Sequence, residues 1–131
     1  MTCLSLRAWR WHHRPLYLAE LLLALGWSVA DMVWTCRDVE LPPGAEPATL
    51  EELSDSGGEL TTLELFRAST PEIQVIDGEF AGRRADSETT EPAIVLRAIR
   101  STSWDLELSS PRDVDTIQAI FPRAEAIEGG T

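Results

Sequence analysis

Two adjacent histidines, His12 and His13, and two cysteines, Cys3 and Cys36, are the residue types here best suited to nucleophilic or metal chemistry. A zinc ion could in principle take a histidine with both thiols, but no pair of these residues has the close spacing that structural zinc sites use. Neighbours on an extended segment also point to opposite faces, so one ion would not take both histidines. Either histidine could act as a general base, and Cys36 with a histidine as a nucleophile and base, but any Cys and any His meet that description. The plainer reading is a polar junction between two elements and two buried free thiols. A lone cysteine pair 33 positions apart is no disulfide framework, and it points to a reducing cytoplasm.

Carboxylates are the other chemical resource. Asp77 and Glu79 flank Gly78, and Asp105 and Glu107 share one face of a strand. Such pairs can do acid–base work or hold a cation. A tight Asp77-Gly78 turn explains the first pair without either role. A cross-strand partner, Arg97 opposite Glu107, explains the second. No glycine-rich phosphate loop and no nucleophile elbow is present, and Gly57-Gly58 sits among acids that would repel phosphate. The sequence calls for no metal and no cofactor.

The charge distribution is more informative. The 131 residues carry 22 acids against 11 basic residues, all arginine, for a net charge of −11. Residues 1–37 are net positive, with Arg7, Arg10, Arg14 and Arg37 against Glu20 and Asp31. Residues 38–66 hold eight acids and no base. A charge of this sign opposes binding to nucleic acid and to anionic membranes, and it favours a basic protein partner. Within the acidic segment Glu51, Glu52, Asp55 and Glu59 are the candidate contact residues, since they surround a short capped helix and the turn after it. The competing reading is solubility alone.

Five tryptophans stand beside one tyrosine and three phenylalanines. Core filling accounts for most such residues, but tryptophan is also enriched at binding hot spots. Trp9 and Trp11 alternate with Arg7 on one expected strand face. Three such residues in line cannot all be central core, so Trp9 and Trp11 are the second candidate contact set, and a second copy of the chain is one partner for them.

The elements that must position these residues follow from periodicity and punctuation. Residues 3–11 and 31–39 alternate as strands. Pro15 suits a first helical turn and Gly26 a helix end, with only Glu20 charged between them, so this helix is expected to be central. Residues 41–47 form a proline-rich loop. Thr49-x-x-Glu52 and Thr61-x-x-Glu64 are capping boxes that open helices over 49–54 and 61–69. Residues 73–81 read as a hairpin about Asp77-Gly78, and 93–108 as a second hairpin about 101–103. Residues 83–91 are polar. Ser110-Pro111-Arg112-Asp113 opens a last helix with Val114, Ile117, Ile120 and Phe121 on its apolar stripe, and Pro122 ends it. The expectation is one α+β domain over 1–131: a mostly antiparallel sheet of hairpins, a buried N-terminal helix, a C-terminal helix, and a flexible tail over 123–131. The apolar run from Leu16 to Leu25 imitates a signal peptide, but Glu20 interrupts it and it is too short to span a bilayer.

The closing pattern Trp104-Asp-Leu-Glu-Leu-Ser-Ser-Pro, followed by the stripe from Val114 to Phe121, resembles the strand-plus-helix end of small acidic bacterial immunity proteins. The resemblance is confined to the C-terminal third and assigns no role to any residue. It implies a protein that binds and blocks a cognate toxin; the acidic segment 38–66, read from charge alone, would be the part that covers a basic surface. Two other functions fit the same residues. One is a regulatory or structural interaction domain that acts as a homo-oligomer through its tryptophans. The other is a small enzyme or ligand-binding protein with a pocket that no motif announces.

Overall fold

The structure is a computed structural model that describes residues 1–9, 14–42, 49–69 and 73–127. Seven strands run over Thr2–Arg7 (β1), Met32–Glu40 (β2), Glu59–Thr61 (β3), Asp77–Arg84 (β4), Ile94–Ile99 (β5), Ser103–Leu108 (β6) and Glu125–Ile127 (β7). Four helices cover Leu18–Leu25 (α1), Thr49–Ser56 (α2), Thr62–Ala68 (α3) and Pro111–Ile120 (α4). The strands form one sheet in the order β3-β2-β4-β5-β6-β1-β7, and every pairing is antiparallel. The fold is therefore α+β with an antiparallel sheet. No helix among the described residues is long and apolar enough to cross a membrane.

Alternation sets the two faces of the sheet. Leu4, Leu6, Trp34, Cys36, Phe80, Leu96, Trp104 and Leu106 point to one face and are buried in the core. The helices pack on that face: α2 and α3 against β2, and α4 against β1 and β6. The two core indoles are satisfied as well as buried. Trp34 Nε1–H donates to Thr62 Oγ1 at 2.8 Å, and Trp104 Nε1–H to the Leu16 carbonyl at 2.9 Å. Each ties the sheet to the helical layer, because a buried indole N–H without an acceptor would be costly. Trp34 also needs Gly82 across the β2–β4 ladder. A Cβ at that position would stand 3.1 Å from the indole and 2.9 Å from Ile94 Cγ2.

Several expected boundaries shift for physical reasons. Helix α1 begins at Leu18 and not at Pro15. Glu20 accepts the Tyr17 N–H at 2.9 Å and takes a two-pronged ion pair from Arg14, which sets the cap at Tyr17. Pro15 instead bridges to Trp9. The hairpin expected at Asp77-Gly78 does not form. Both residues lie inside β4, which pairs with β2 and β5, and Gly78 is packed under Val39 and Val75. The positive-φ turn falls on Arg100 (φ 45°) and Ser101 (φ 58°) between β5 and β6. The capping box at Thr61 and Glu64 is present, with Glu64 N–H on Thr61 Oγ1 and Thr61 N–H on Glu64 Oε1. Ser110 and Pro111 open α4. The C-terminal residues expected as a tail from 123 include a strand, β7, which pairs with β1 over residues 3–5.

Candidate functional site

Helix α2 holds three of the four acidic candidates near the C-terminal end of β2. Leu50 is fully buried and anchors the helix. Glu51 turns inward enough for its Oε1 to accept the Leu41 N–H at 3.0 Å, so this carboxylate closes the backbone where β2 ends. Glu52 and Asp55 are exposed. Glu59 lies on the edge strand β3 and makes an ion pair with Arg83 of β4, reaching across β2. The acidic segment contains no arginine of its own, but the sheet supplies one to Glu59.

The fold adds acids that the linear segment does not single out. Asp38 has a positive φ of 53° at the irregularity of the β2–β4 ladder, a conformation that Asp tolerates better than most residues. Just beyond it, Glu40 stands directly opposite Asp77. Like charges placed opposite one another oppose pairing. Asp77 is held by the Arg100 N–H at 2.8 Å, while Asp38, Glu40, Glu52 and Asp55 have no ion pair among the described residues. Asp38 and Glu40 belong to the acidic run and are visible as such. Asp77 is brought in only by strand register.

The tryptophans divide. Trp34 and Trp104 are core. Trp9 is 46% exposed and Trp27 is 94% exposed. Trp11, with His12 and His13, lies outside the described residues. The strand face expected to carry Arg7, Trp9 and Trp11 in line is cut short, since β1 ends at Arg7. Trp9 is fixed beyond it by its Nε1–H on the Ser101 carbonyl at 2.7 Å. In the strand order, β3 and β1 are five steps apart, about 24 Å at ~4.8 Å per strand. Glu59 and Trp9 are therefore far apart on the sheet.

The sheet face away from the helices carries an ion-pair network. Arg97 bonds Glu79 at 3.1 Å and Glu107 at 3.0 Å. Glu107 is its diagonal neighbour, because the register sets Arg97 opposite Asp105. Burial works against the charged guanidinium, yet the bonds and charges of Glu107 and Glu79 outweigh it and raise its pKa. Asp105 accepts the Ser5 hydroxyl at 2.9 Å. These carboxylates are committed to neighbours on the sheet. Among the described residues, no group of three or more His, Cys, Asp or Glu side chains is placed to hold a metal ion.

Both cysteines are free. Three strands separate β1 from β2, roughly 19 Å at the same spacing, far beyond disulfide reach. Cys3 is half-buried on the polar face, where burial and then the charges of Glu107 and Asp105 raise its thiol pKa. Cys36 is in the core, and burial pushes its thiol up from 9.0 to about 11. A folded value above the unfolded one means the thiol's contribution to stability is complete below about pH 9 and is lost as pH rises through about 11. The urea midpoint is expected to fall across that window, and to fall less in Cys36→Val. Equal alkaline slopes would show that Cys36 does not ionise on unfolding.

No family model matches the chain, and neither a curated protein nor a solved structure matches it.

Proposed function

We propose that this chain is a protein-binding inhibitor of the immunity type, which neutralises a cognate toxin by covering its basic surface with the acidic end formed by β2, β4 and α2. The carrying observation is that Asp38, Glu40, Glu52 and Asp55 are exposed and have no ion pair among the described residues, with Glu40 set opposite Asp77. Like charges set opposite one another oppose pairing, and a cationic partner would relieve that. The immunity assignment itself rests on the resemblance of the closing strand and helix. Exposed carboxylates of this kind act mainly on the association rate, and salt screens them.

The experiment is affinity capture from the source organism with wild type and with a variant carrying Asp38→Asn, Glu40→Gln, Glu52→Gln and Asp55→Asn. All four side chains are solvent-exposed, so the variant is expected to keep the wild-type unfolding midpoint. Wild type is expected to capture a basic protein and to abolish its toxic activity. The variant is expected to associate about tenfold more slowly at low salt and to show a flatter salt dependence. Equal association rates at low salt, or a captured partner whose activity is untouched, would overturn the proposal.

A second reading, a homo-oligomer, is favoured by one observation. Trp27 is 94% exposed in the turn after α1, and Leu23 on α1 and Leu63 on α3 are 67% and 58% exposed. A contact surface on the helical layer would cover these side chains, as contiguous exposed apolar patches are covered in complexes.

A further inference from the structure

Past the end of the β1–β7 ladder a cavity of about 500 Å³ opens between the end of β1, Trp9 and the C-terminal turn of α4. That volume lies in the range of small-molecule sites. Leu6, Trp9, Leu16, Ile120 and Phe121 form its apolar walls. Ile120 is 46% exposed, and Trp9 is exposed to the same degree, although both residue types favour burial. Trp9 is already oriented, since its ring nitrogen is bonded to the Ser101 carbonyl at 2.7 Å. The wall is therefore preformed.

The charged groups of the cavity are Arg7 and Arg123. Their placement follows from strand register. The β1–β7 ladder pairs Cys3 with Ile127, Leu4 with Ala126 and Ser5 with Glu125. Continued by two steps, it would set Arg7 opposite Arg123. The ladder stops before that, where residues 122–123 turn and the Ala124 N–H bonds the Phe121 carbonyl at 2.9 Å. Two arginines thus line one cavity. The chain carries 22 acids, yet neither arginine has a carboxylate partner among the described residues. The C-terminal end of α4 contributes roughly half a negative charge to the same region, and two full positive charges outweigh it.

We propose that this cleft binds an amphipathic organic anion, a carboxylate on an apolar body, with Arg7 and Arg123 on the head group and Leu6, Trp9, Leu16, Ile120 and Phe121 around the tail. A guanidinium matches the two oxygens of a carboxylate and keeps its charge at any working pH. The apolar walls contribute through the area they remove from water. The cleft shares no residue with the acidic set, so its test is separate from the inhibitor reading, although the β5–β6 turn links the two: Trp9 bonds the Ser101 carbonyl and the Arg100 N–H bonds Asp77.

Decanoate, below its micelle concentration, is the probe, followed by titration calorimetry and by tryptophan fluorescence on the full chain. Decanol supplies the same tail without the charge, and acetate the charge without the tail. Saturable one-to-one binding of decanoate is expected, with decanol about tenfold or more weaker and acetate showing none. In the Arg7→Gln/Arg123→Gln variant decanoate is expected to weaken about tenfold while decanol is unchanged. Both arginines are exposed, so the variant is expected to unfold at the wild-type midpoint, and an Arg7→Lys/Arg123→Lys variant, which keeps both charges, is expected to retain part of the affinity. Decanol binding as tightly as decanoate, unaltered decanoate binding by the glutamine variant, or no saturable binding would each overturn the proposal.

Discussion

Trp34→Ala is expected to destabilise the protein by about 3–5 kcal/mol, the usual range for truncating a buried aromatic residue. The indole is fully buried, and its Nε1–H is bonded to Thr62 Oγ1 at 2.8 Å. Thr62 also donates to the Val29 carbonyl, so one side chain holds the start of α3, the turn after α1 and the middle of β2 together. The backbone opposite is shaped for the ring, since Gly82 leaves the space that a Cβ would take. The alanine variant therefore leaves a cavity that a rigid sheet cannot close. A domain of this size has about 5–15 kcal/mol in hand, so the loss approaches the lower end of that margin. The measurement is the urea midpoint at constant slope. Trp34→Phe, which keeps most of the ring and loses the hydrogen bond, is expected to cost less. A midpoint unchanged in Trp34→Ala would show that the layer contact at Thr62 carries none of the stability.

Leu22→Ala is expected to cost about 2–5 kcal/mol, by the same loss of burial plus residual cavity. Leu22 is 3% exposed on α1, between the fully buried Leu21 and the 67% exposed Leu23. That neighbour is an internal control, because Leu23→Ala removes the same atoms from a solvent-facing position and is expected to stay within about 0.5 kcal/mol of wild type. Equal losses at the two positions would mean that Leu23 is covered in solution, as the homo-oligomer reading requires. Negligible losses at both would remove α1 from the core.

The elements legible from the sequence are those that local rules specify. The alternation of Trp104, Leu106 and Leu108 marks β6, and Ser110-Pro111 marks the start of α4. The reciprocal bonds of Thr61 and Glu64 appear where the capping box places them. Period two, a cap and a fixed proline φ act within a few residues, so the sequence around them suffices. Asp77-Gly78 shows where that reasoning fails. Its turn preference is genuine, but pairing with strands on both sides and the packing of Gly78 under Val39 and Val75 outweigh it. The second hairpin, expected about 101–103, does form, with positive φ at Arg100 and Ser101, where the Arg100 N–H on Asp77, the Ser101 N–H on the Ile76 carbonyl and Trp9 on the Ser101 carbonyl hold a conformation that neither residue prefers.

The candidate site divides along the same line. The sequence by itself determined that residues 38–66 are acidic and without a local cation, and that α2 opens at an acid-rich turn. Only the tertiary structure decided that Glu51 bonds the backbone at Leu41, that Glu59 takes Arg83, and that Asp77 stands against Glu40. It likewise decided that Trp34 is core while Trp27 faces water, and that Arg7 and Arg123 line one cavity. Charge and apolarity are properties of single residues and can be read in order along the chain. Pairing is a property of positions far apart in sequence, and one step of register, or one strand inserted between two others, determines which charges are neutralised and which are left to a partner.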